Sequence, residues 1–209
     1  MNTFIDDLQA ALQQPLPGQV AQFEMAHGVR KNTIPPPPDA REAGVMALLF
    51  PKARQWHLTL IQRTSTNPND RHSGQVSFPG GKREESDDSL QITALREAEE
   101  EVGVKADDIT VLGSLTELYI PVSNFKVQPY VGFLAYQPTF DPQPSEVQMV
   151  IEAPFTAFQD RANHKLRDLQ IQTNLVLRNV PYFAIDEHMV WGATAMMISE
   201  LLHIAPKLD

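Results

Sequence analysis

The sequence predicts one domain of mixed class, an α/β (α+β) sandwich in which a sheet packs against helices. The chain has 209 residues, of which 42% are hydrophobic, and this is enough for one sizeable core. Short runs rich in β-branched and aromatic residues recur along most of the chain. A few segments instead place apolar residues at helical spacing. Many strands with few helices indicate a sandwich of this kind.

The first forty residues precede the strand pattern and are treated as an extension of the domain. Residues 3–14 place apolar side chains at helical spacing, so we expect an amphipathic helix that packs against the domain. Residues 15–39 are predicted to form a loop. They end in four prolines, Pro35 to Pro38, whose fixed φ imposes an extended backbone.

The rest of the chain carries most of the predicted sheet. The predicted strands are Gly44–Phe50, Trp56–Gln62, Val76–Phe78, Ile109–Thr116, Val127–Tyr136, Val147–Ile151, Leu166–Leu177 and Pro181–Ile185. The first two are separated by a polar turn and predict a hairpin, and residues 64–75 predict a surface loop. A short helix is expected over Pro154–Asp160 and a final helix over Val190–Ile204.

One acidic segment in the middle of the chain predicts a helix with clear boundaries. Asp87, Asp88 and Ser89 are good N-terminal caps. Gly103 suits the C-terminal end, where a left-handed residue commonly stops a helix. The helix therefore lies between these positions.

Three glutamates of this helix are expected to converge. At roughly 100° per residue, Glu97, Glu100 and Glu101 share one arc. Neighbouring carboxylates repel and raise one another's pKa, so stability alone does not favour such a cluster. A divalent cation removes the repulsion, and carboxylate oxygens with retained water suit Mg²⁺ or Mn²⁺. The alternative is a solvated acidic face, the usual state of a Glu-rich helix.

The residues around these glutamates fit a site for a phosphorylated ligand. Gly80 and Gly81 precede the helix, and glycine lets the backbone approach a ligand closely. A glycine turn that leads into a helix N-terminus is a plausible phosphate neighbourhood. Gly80 could offer its carbonyl to a metal. Arg96 could orient Glu97 through a charge-assisted hydrogen bond, or form a solvated salt bridge instead.

This region resembles the Nudix box. The box has a glycine, an acidic residue and then Arg-Glu-aliphatic-any-Glu-Glu-any-Gly-aliphatic, and the chain has Gly81 followed by Arg-Glu-Ala-Glu-Glu-Glu-Val-Gly-Val at residues 96–104. The spacing from Gly81 to Arg96 is one residue longer than in the general box. Its acidic position is Asp87 or Asp88.

Further segments resemble the coenzyme A pyrophosphatase branch of the Nudix hydrolases, which also tolerates the longer box. They are Arg63 with residues 72–82, Tyr119–Phe125 and Val190–Met196. The resemblance implies the Nudix fold, a mixed sheet sandwiched between helices, in a single domain over residues 1–209. It also implies metal-dependent hydrolysis of the pyrophosphate of coenzyme A or its derivatives. The products would be 3′,5′-ADP and 4′-phosphopantetheine.

Within this resemblance, individual residues receive expected roles. The expected metal ligands are Glu97 and Glu101, with Glu100 as a third ligand or the general base and Gly80 as a further contact. Arg96 would orient Glu97, and Glu146 on a later loop is an alternative base. The expected substrate contacts are Arg63, His72, Gln75 and Lys82, although His72 could instead make a structural hydrogen bond.

Two other functions remain open at this stage. One is hydrolysis of another nucleoside diphosphate derivative, such as NADH or ADP-ribose. The other is a non-catalytic nucleotide sensor on the same fold. A sensor predicts eroded glutamates or an attached DNA-binding domain, and the sequence shows neither.

Composition restricts the partners. A net charge of −9 and a pI near 5.1 argue against nucleic acid, while a metal-bound phosphorylated small molecule remains compatible. The absence of cysteine excludes disulfides and thiolate metal sites and fits a reducing cytoplasm. We see no signal peptide and no apolar run of membrane-spanning length, so we expect a cytoplasmic protein without a membrane partner. Many proteins of this fold pair, so a homodimer is also expected to be accessible.

Overall fold

The computed structural model describes residues 2–28, 35–64, 74–172 and 175–208. Its helices are α1 (Asn2–Leu12), α2 (Gln19–Gln22), α3 (Leu90–Val102), α4 (Phe155–Gln159) and α5 (Gly192–Ile204). Its strands are β1 (Arg41–Lys52), β2 (Gln55–Arg63), β3 (Val76–Ser77), β4 (Gly80–Lys82), β5 (Thr110–Ser114), β6 (Leu118–Ile120), β7 (Phe125–Phe133), β8 (Val147–Pro154), β9 (His164–Gln172), β10 (Leu175–Ile185) and β11 (His188–Trp191).

Strands β1 to β8 form one mixed sheet. Its main path runs β3-β2-β1-β7-β5, while β4 pairs with β1, β6 with β7 and β8 with β2. Strands β1 and β7 are parallel, and every other pair in this sheet is antiparallel. Strands β11, β10 and β9 form a separate antiparallel sheet. The predicted mixed sheet and the hairpin of β1 and β2 are thus confirmed.

Helices cover both faces of the large sheet. Ala47 and Leu49 of β1 join a core cluster with α1, α4 and α5, whereas Met46, Leu48 and Phe50 join a second cluster with α3. This alternation follows from the two-residue period of a strand, and both sets are apolar because both faces are buried. The sheet therefore lies between helices, as the sequence predicts.

Helix α3 lies directly on the backbone of β1. The Ser89 hydroxyl caps it by accepting a hydrogen bond from the Ile92 amide, and Gly103 ends it in the left-handed region at φ 72°. A Cβ on Gly44 of β1 would lie 2.2 Å from the Leu90 carbonyl oxygen. Only glycine allows this approach, which places the acidic helix against the sheet.

Three expectations for secondary structure were wrong in detail. The predicted loop 15–39 contains the short helix α2 and a 3₁₀ turn over Phe23–Met25. The final helix starts at Gly192, because Val190 and Trp191 pair with β10 as the end of β11. The segment Leu166–Leu177 spans parts of two strands, β9 and β10. Most of the predicted surface loop, residues 65–73, lies outside the described residues.

Among the described residues, no helix combines the length and the apolar character needed to cross a membrane.

Candidate active site

The centre of the site is Glu101, near the C-terminal end of α3. Its side chain is only 1% exposed and both of its oxygens are hydrogen-bonded. The backbone amide of Gly80 donates to Oε2 at 2.8 Å, and Nη1 of Arg63 donates to Oε1 at 3.1 Å. The glycine turn, the end of β2 and helix α3 therefore meet at one carboxylate.

Burial shifts the pKa of Glu101 strongly. The pKa is raised to about 7: desolvation is the largest cause, the Gly80 amide and Arg63 oppose the rise, and the nearby carboxylates of Glu97 and Glu146 add to it. A carboxyl group that titrates near neutral pH in an acidic environment is typical of functional sites. A cation that neutralised the cluster of carboxylates would also stabilise the ionised form of Glu101.

Glu97 lies one helical turn earlier and faces the same glycine turn. Its side chain is 13% exposed, and burial is the main cause of its raised pKa. A Cβ on Gly81 would lie 2.5 Å from Oε1 of Glu97, so the glycine leaves room for this carboxylate. Arg96 donates to the same oxygen at 2.9 Å. The hydrogen bond expected from the sequence is therefore present.

Arg96 is itself held by a buried aspartate. Asp87 accepts from Nε of Arg96 at 3.1 Å and from Nη2 at 2.9 Å, and also from the Glu84 amide and the Thr93 hydroxyl. The guanidinium holds the pKa of Asp87 well below its usual range. Of the two aspartates that the sequence left open, Asp87 is the one that contacts the site, while Asp88 is exposed.

Glu100 lies at the rim of the site. Its side chain is 59% exposed and binds Nη1 of Arg96 at 3.0 Å. Of the three glutamates on the predicted arc, the structure thus brings Glu97 and Glu101 inside and leaves Glu100 facing solvent. Within the part of the chain that the structure describes, no three acidic or histidine side chains are already grouped as a metal site. Guanidinium groups bind each of the three carboxylates instead.

Glu146 faces the site from the loop that precedes β8. The amide of Gln143 donates to the Glu101 carbonyl at 3.1 Å, and the Thr64 amide donates to the Glu146 carbonyl at 2.9 Å. These bonds attach the loop to both α3 and the end of β2. The Glu146 carboxylate raises the pKa of Glu97 and of Glu101, so the structure brings it to their side.

The expected substrate-binding residues divide into three groups. Arg63 reaches the site, and its backbone amide donates to the Gln75 carbonyl at 3.0 Å, which places Gln75 beside it. Lys82 is exposed at the end of β4, and its carbonyl accepts from Arg96. His72 lies outside the described residues.

Sequence reasoning missed one contributor and left another unresolved. Thr93 is fully buried and orients Asp87, but a threonine inside a helix gives no signal of this role. The sequence left Asp87 and Asp88 as alternatives because both directly precede the helix cap. The distinction depends on tertiary contacts with Arg96.

The donor set fits a divalent cation such as Mg²⁺ or Mn²⁺. Glu101 is buried and Glu97 is partly buried, burial raises the pKa of both carboxyls, and Gly81 leaves the space that the Glu97 carboxylate occupies. Hard oxygen ligands of this type suit such ions.

Comparison with known proteins identifies the family. A family model described as the NUDIX domain matches residues 40–171. The protein called uncharacterized Nudix hydrolase NudL from Photorhabdus laumondii is 32% identical over 173 residues, which cover 80% of this chain and 89% of that protein. The protein of the same name from Pectobacterium atrosepticum is 39% identical over 132 residues, which cover 63% of this chain and 67% of that protein.

A solved structure agrees at the level of the fold. The crystal structure of a MutT/nudix family protein from Enterococcus faecalis gives a TM-score of 0.52 at 16% identity, over 94% of this chain and 71% of that one. The architecture is that of a Nudix hydrolase: a mixed sheet lies between helices, and the helix that carries Arg96, Glu97 and Glu101 lies beside a glycine turn. The chain belongs to the Nudix family. Members of this family act on small nucleotide substrates and generally use divalent metals.

Proposed function

We propose that the chain hydrolyses the pyrophosphate bond of coenzyme A or a derivative of it. The products would be 3′,5′-ADP and 4′-phosphopantetheine, or the acylated form of the latter. The observation that carries the hydrolytic part is the pair of carboxylates beside the glycine turn: Glu97 lies against Gly81, and the buried Glu101 binds the Gly80 amide and Arg63. The coenzyme A part is supported by the flanking segments that resemble that branch.

Two of these flanking segments meet in the structure. The Thr194 hydroxyl, in the C-terminal segment, donates to the Val76 carbonyl at 3.1 Å. Val76 lies in the segment that leads to Gly80 and Gly81. In the third segment, the Tyr119 hydroxyl donates to Asn124 at 2.9 Å and supports the turn between β6 and β7. The contact between the first two segments supports a shared role for them in shaping one substrate site.

The chain's own residues would divide the work of the reaction. Glu97 and Glu101 would hold the cation, with the Gly80 amide keeping one oxygen of Glu101 in place. The cation, when bound, neutralises charge on the diphosphate and lowers the pKa of a bound water. Arg63 and Lys82 would contact phosphate oxygens, for which guanidinium and ammonium groups are suited.

The proton of the attacking water needs an acceptor. Glu146 and Glu100 are the two candidates, and both are exposed carboxylates at the rim of the site. A general base must reach the water while leaving the metal ligands intact. Glu146→Gln and Glu100→Gln are therefore compared. The variant that loses turnover while retaining Mn²⁺ affinity identifies the base.

The first experiment measures Mg²⁺-dependent turnover of coenzyme A, NADH and ADP-ribose by the purified protein. The Glu101→Gln variant is expected to lose activity by about a hundredfold or more, because it removes a buried charged ligand. Glu99→Gln is the matched control, since Glu99 lies on the same helix but is exposed outside the site. It is expected to retain activity.

The outcomes separate the candidate functions. Cleavage of coenzyme A, with release of 3′,5′-ADP, supports the proposal. Preferential cleavage of NADH or ADP-ribose would keep the hydrolytic mechanism and reject the coenzyme A branch. Nucleotide binding without any turnover would reject hydrolysis and favour a sensor.

A further inference from the structure

We propose that Arg63 is exchanged between two anions: it binds Glu101 in the metal-free protein and moves to the substrate diphosphate when a divalent cation binds. This inference rests on the proposed function only in assuming a diphosphate substrate. It makes Arg63 a residue that couples binding of the metal to binding of the substrate. The contacts around Arg63 carry the argument in three steps.

The first step is the placement of Arg63. Strand β2 pairs Gln62 with Met149 and then Arg63 with Val147, so one residue of β8 is left unmatched. Bulges of this kind re-aim side chains and are common beside active sites. The backbone of Arg63 is fixed, because its amide donates to the Gln75 carbonyl and its carbonyl accepts from the Gly74 amide at 3.2 Å. Any motion of Arg63 is therefore confined to its side chain.

The second step is a conflict over one oxygen atom. Oε2 of Glu101 is held by the Gly80 amide, which leaves Oε1 as the oxygen with a movable partner. That partner is the guanidinium of Arg63 at 3.1 Å. A second cation on the same buried carboxylate would lie within a few ångströms of the guanidinium, and like charges repel strongly where solvent is excluded. The guanidinium must then leave Oε1.

The third step is the destination. The Arg63 side chain is 26% exposed, whereas Glu101 is closed to solvent, so the arginine lies on the open side of their contact. A substrate diphosphate has to approach the carboxylates from that open side. The planar fork of a guanidinium binds phosphate oxygens in a bidentate manner. Release from Glu101 thus supplies a phosphate-binding group at the moment when the cation is in place.

This exchange predicts reciprocal coupling. If Arg63 competes with the cation for Glu101 and also binds diphosphate, each ligand must tighten the binding of the other. Without the arginine, the cation binds more readily and the extra coupling disappears. If Arg63 instead served only to keep Glu101 ionised and oriented, its ion pair would support metal binding. Removal of Arg63 would then weaken the affinity for the cation.

The test measures Mn²⁺ affinity by isothermal titration calorimetry at about pH 8.5, where the proton competes little for the carboxylates. Wild-type protein, Arg63→Gln and the control Arg161→Gln, which changes an exposed arginine remote in sequence, are compared. Arg63→Gln is expected to bind Mn²⁺ on the order of tenfold more tightly than the other two. Equal or weaker binding by this variant overturns the proposal.

A second titration measures the coupling with adenosine 5′-(α,β-methylene)diphosphate, which is not cleaved. The factor by which Mn²⁺ tightens its binding is expected to fall about tenfold in Arg63→Gln. An unchanged factor overturns the proposal. Arg63→Lys keeps the charge without the fork, and serves if the Gln variant does not fold. Neither titration requires turnover, so tighter Mn²⁺ binding without coenzyme A cleavage rejects only the branch, and cleavage with unchanged Mn²⁺ affinity rejects only the exchange.

Discussion

Replacing Asp87 by asparagine is expected to destabilise the protein although the change is nearly isosteric. The carboxylate accepts four hydrogen bonds, two from Arg96 and one each from Glu84 and Thr93. Asparagine keeps one oxygen and turns the other into a donor. The NH₂ group then faces donors that require an acceptor. The variant therefore loses charge-assisted hydrogen bonds and gains donor-donor contacts.

The size of this effect follows from burial. Breaking a buried ion pair by removing one partner costs about 3–5 kcal/mol. Arg96 is 20% exposed and retains its bonds to Glu97 and Glu100, so part of its charge is rehydrated or compensated. We expect a loss of about 3 kcal/mol in the free energy of unfolding, measured by urea denaturation at pH 7.

Asp88→Asn provides the matched control, because Asp88 is the exposed neighbour in sequence. Its expected effect is within about 0.5 kcal/mol. Equal stability of the two variants would refute the assignment of Asp87 as the anchor of Arg96. The difference should also depend on pH. The native pKa of Asp87 is lowered, so the stability it contributes is complete above the ordinary aspartate pKa of about 4 and declines as the pH falls below that value.

Three further changes test the site and the fold. Gly81→Ala is expected to weaken Mn²⁺ binding about tenfold in calorimetry, because the new Cβ displaces the Glu97 carboxylate. Glu200→Gln is expected to lower the free energy of unfolding by about 2 kcal/mol in urea, because a fully buried acceptor of several hydrogen bonds becomes a partial donor. Mn²⁺ affinity of the wild type is expected to fall below about pH 7 and level off above it, because the raised pKa of Glu101 leaves a proton to compete.

Each of these expectations has a contrary outcome. For the glycine, Gly28→Ala is the control, since nothing lies within 4 Å of a Cβ there, and equal Mn²⁺ affinity in both variants would contradict the role of the turn. For the buried glutamate, the exposed Glu85→Gln is the control, and equal losses would reject a stabilising role for the hydrogen bonds that Glu200 accepts. For the pH profile, a flat affinity between pH 5.5 and 8.5 would show that Glu101 does not exchange a proton for the metal.

Local chemistry explains why helix α3 was predictable. Its boundaries depend on Ser89 and Gly103, which act within one turn of the positions they cap. The bond from Arg96 to Glu97 is also local, since it joins adjacent residues. Such features are visible in the sequence because they need no information about distant segments.

The depth of each glutamate was not predictable from the helix alone. Helical spacing places Glu97, Glu100 and Glu101 on one arc. Which of them is buried depends on the segments that pack beside the helix. Here the Gly80 amide and the Arg63 side chain enclose Glu101, whereas Glu100 binds Arg96 and stays 59% exposed. The boundary between inside and rim is a tertiary property.

Helix α2 was missed for the same reason. It has four residues, too few to show a hydrophobic period, and it is held by contacts from far along the chain. The Gln22 amide donates to Glu200 at 2.8 Å and to the Thr116 carbonyl at 3.0 Å. A short helix that depends on distant partners leaves no pattern in its own residues.

The buried carboxylate of Glu200 has a consequence for how the chain folds. Glu200 binds Gly18 and Gln22 across sequence separations of 182 and 178 residues, and Thr116 across 84. During synthesis on the ribosome, α2 emerges long before α5 and must wait for almost the entire chain before this cluster can close. Contacts of such separation form slowly because the intervening loop loses entropy first. The N-terminal segment should therefore remain open to proteases in nascent chains that are released before α5 is made, while the finished protein protects it.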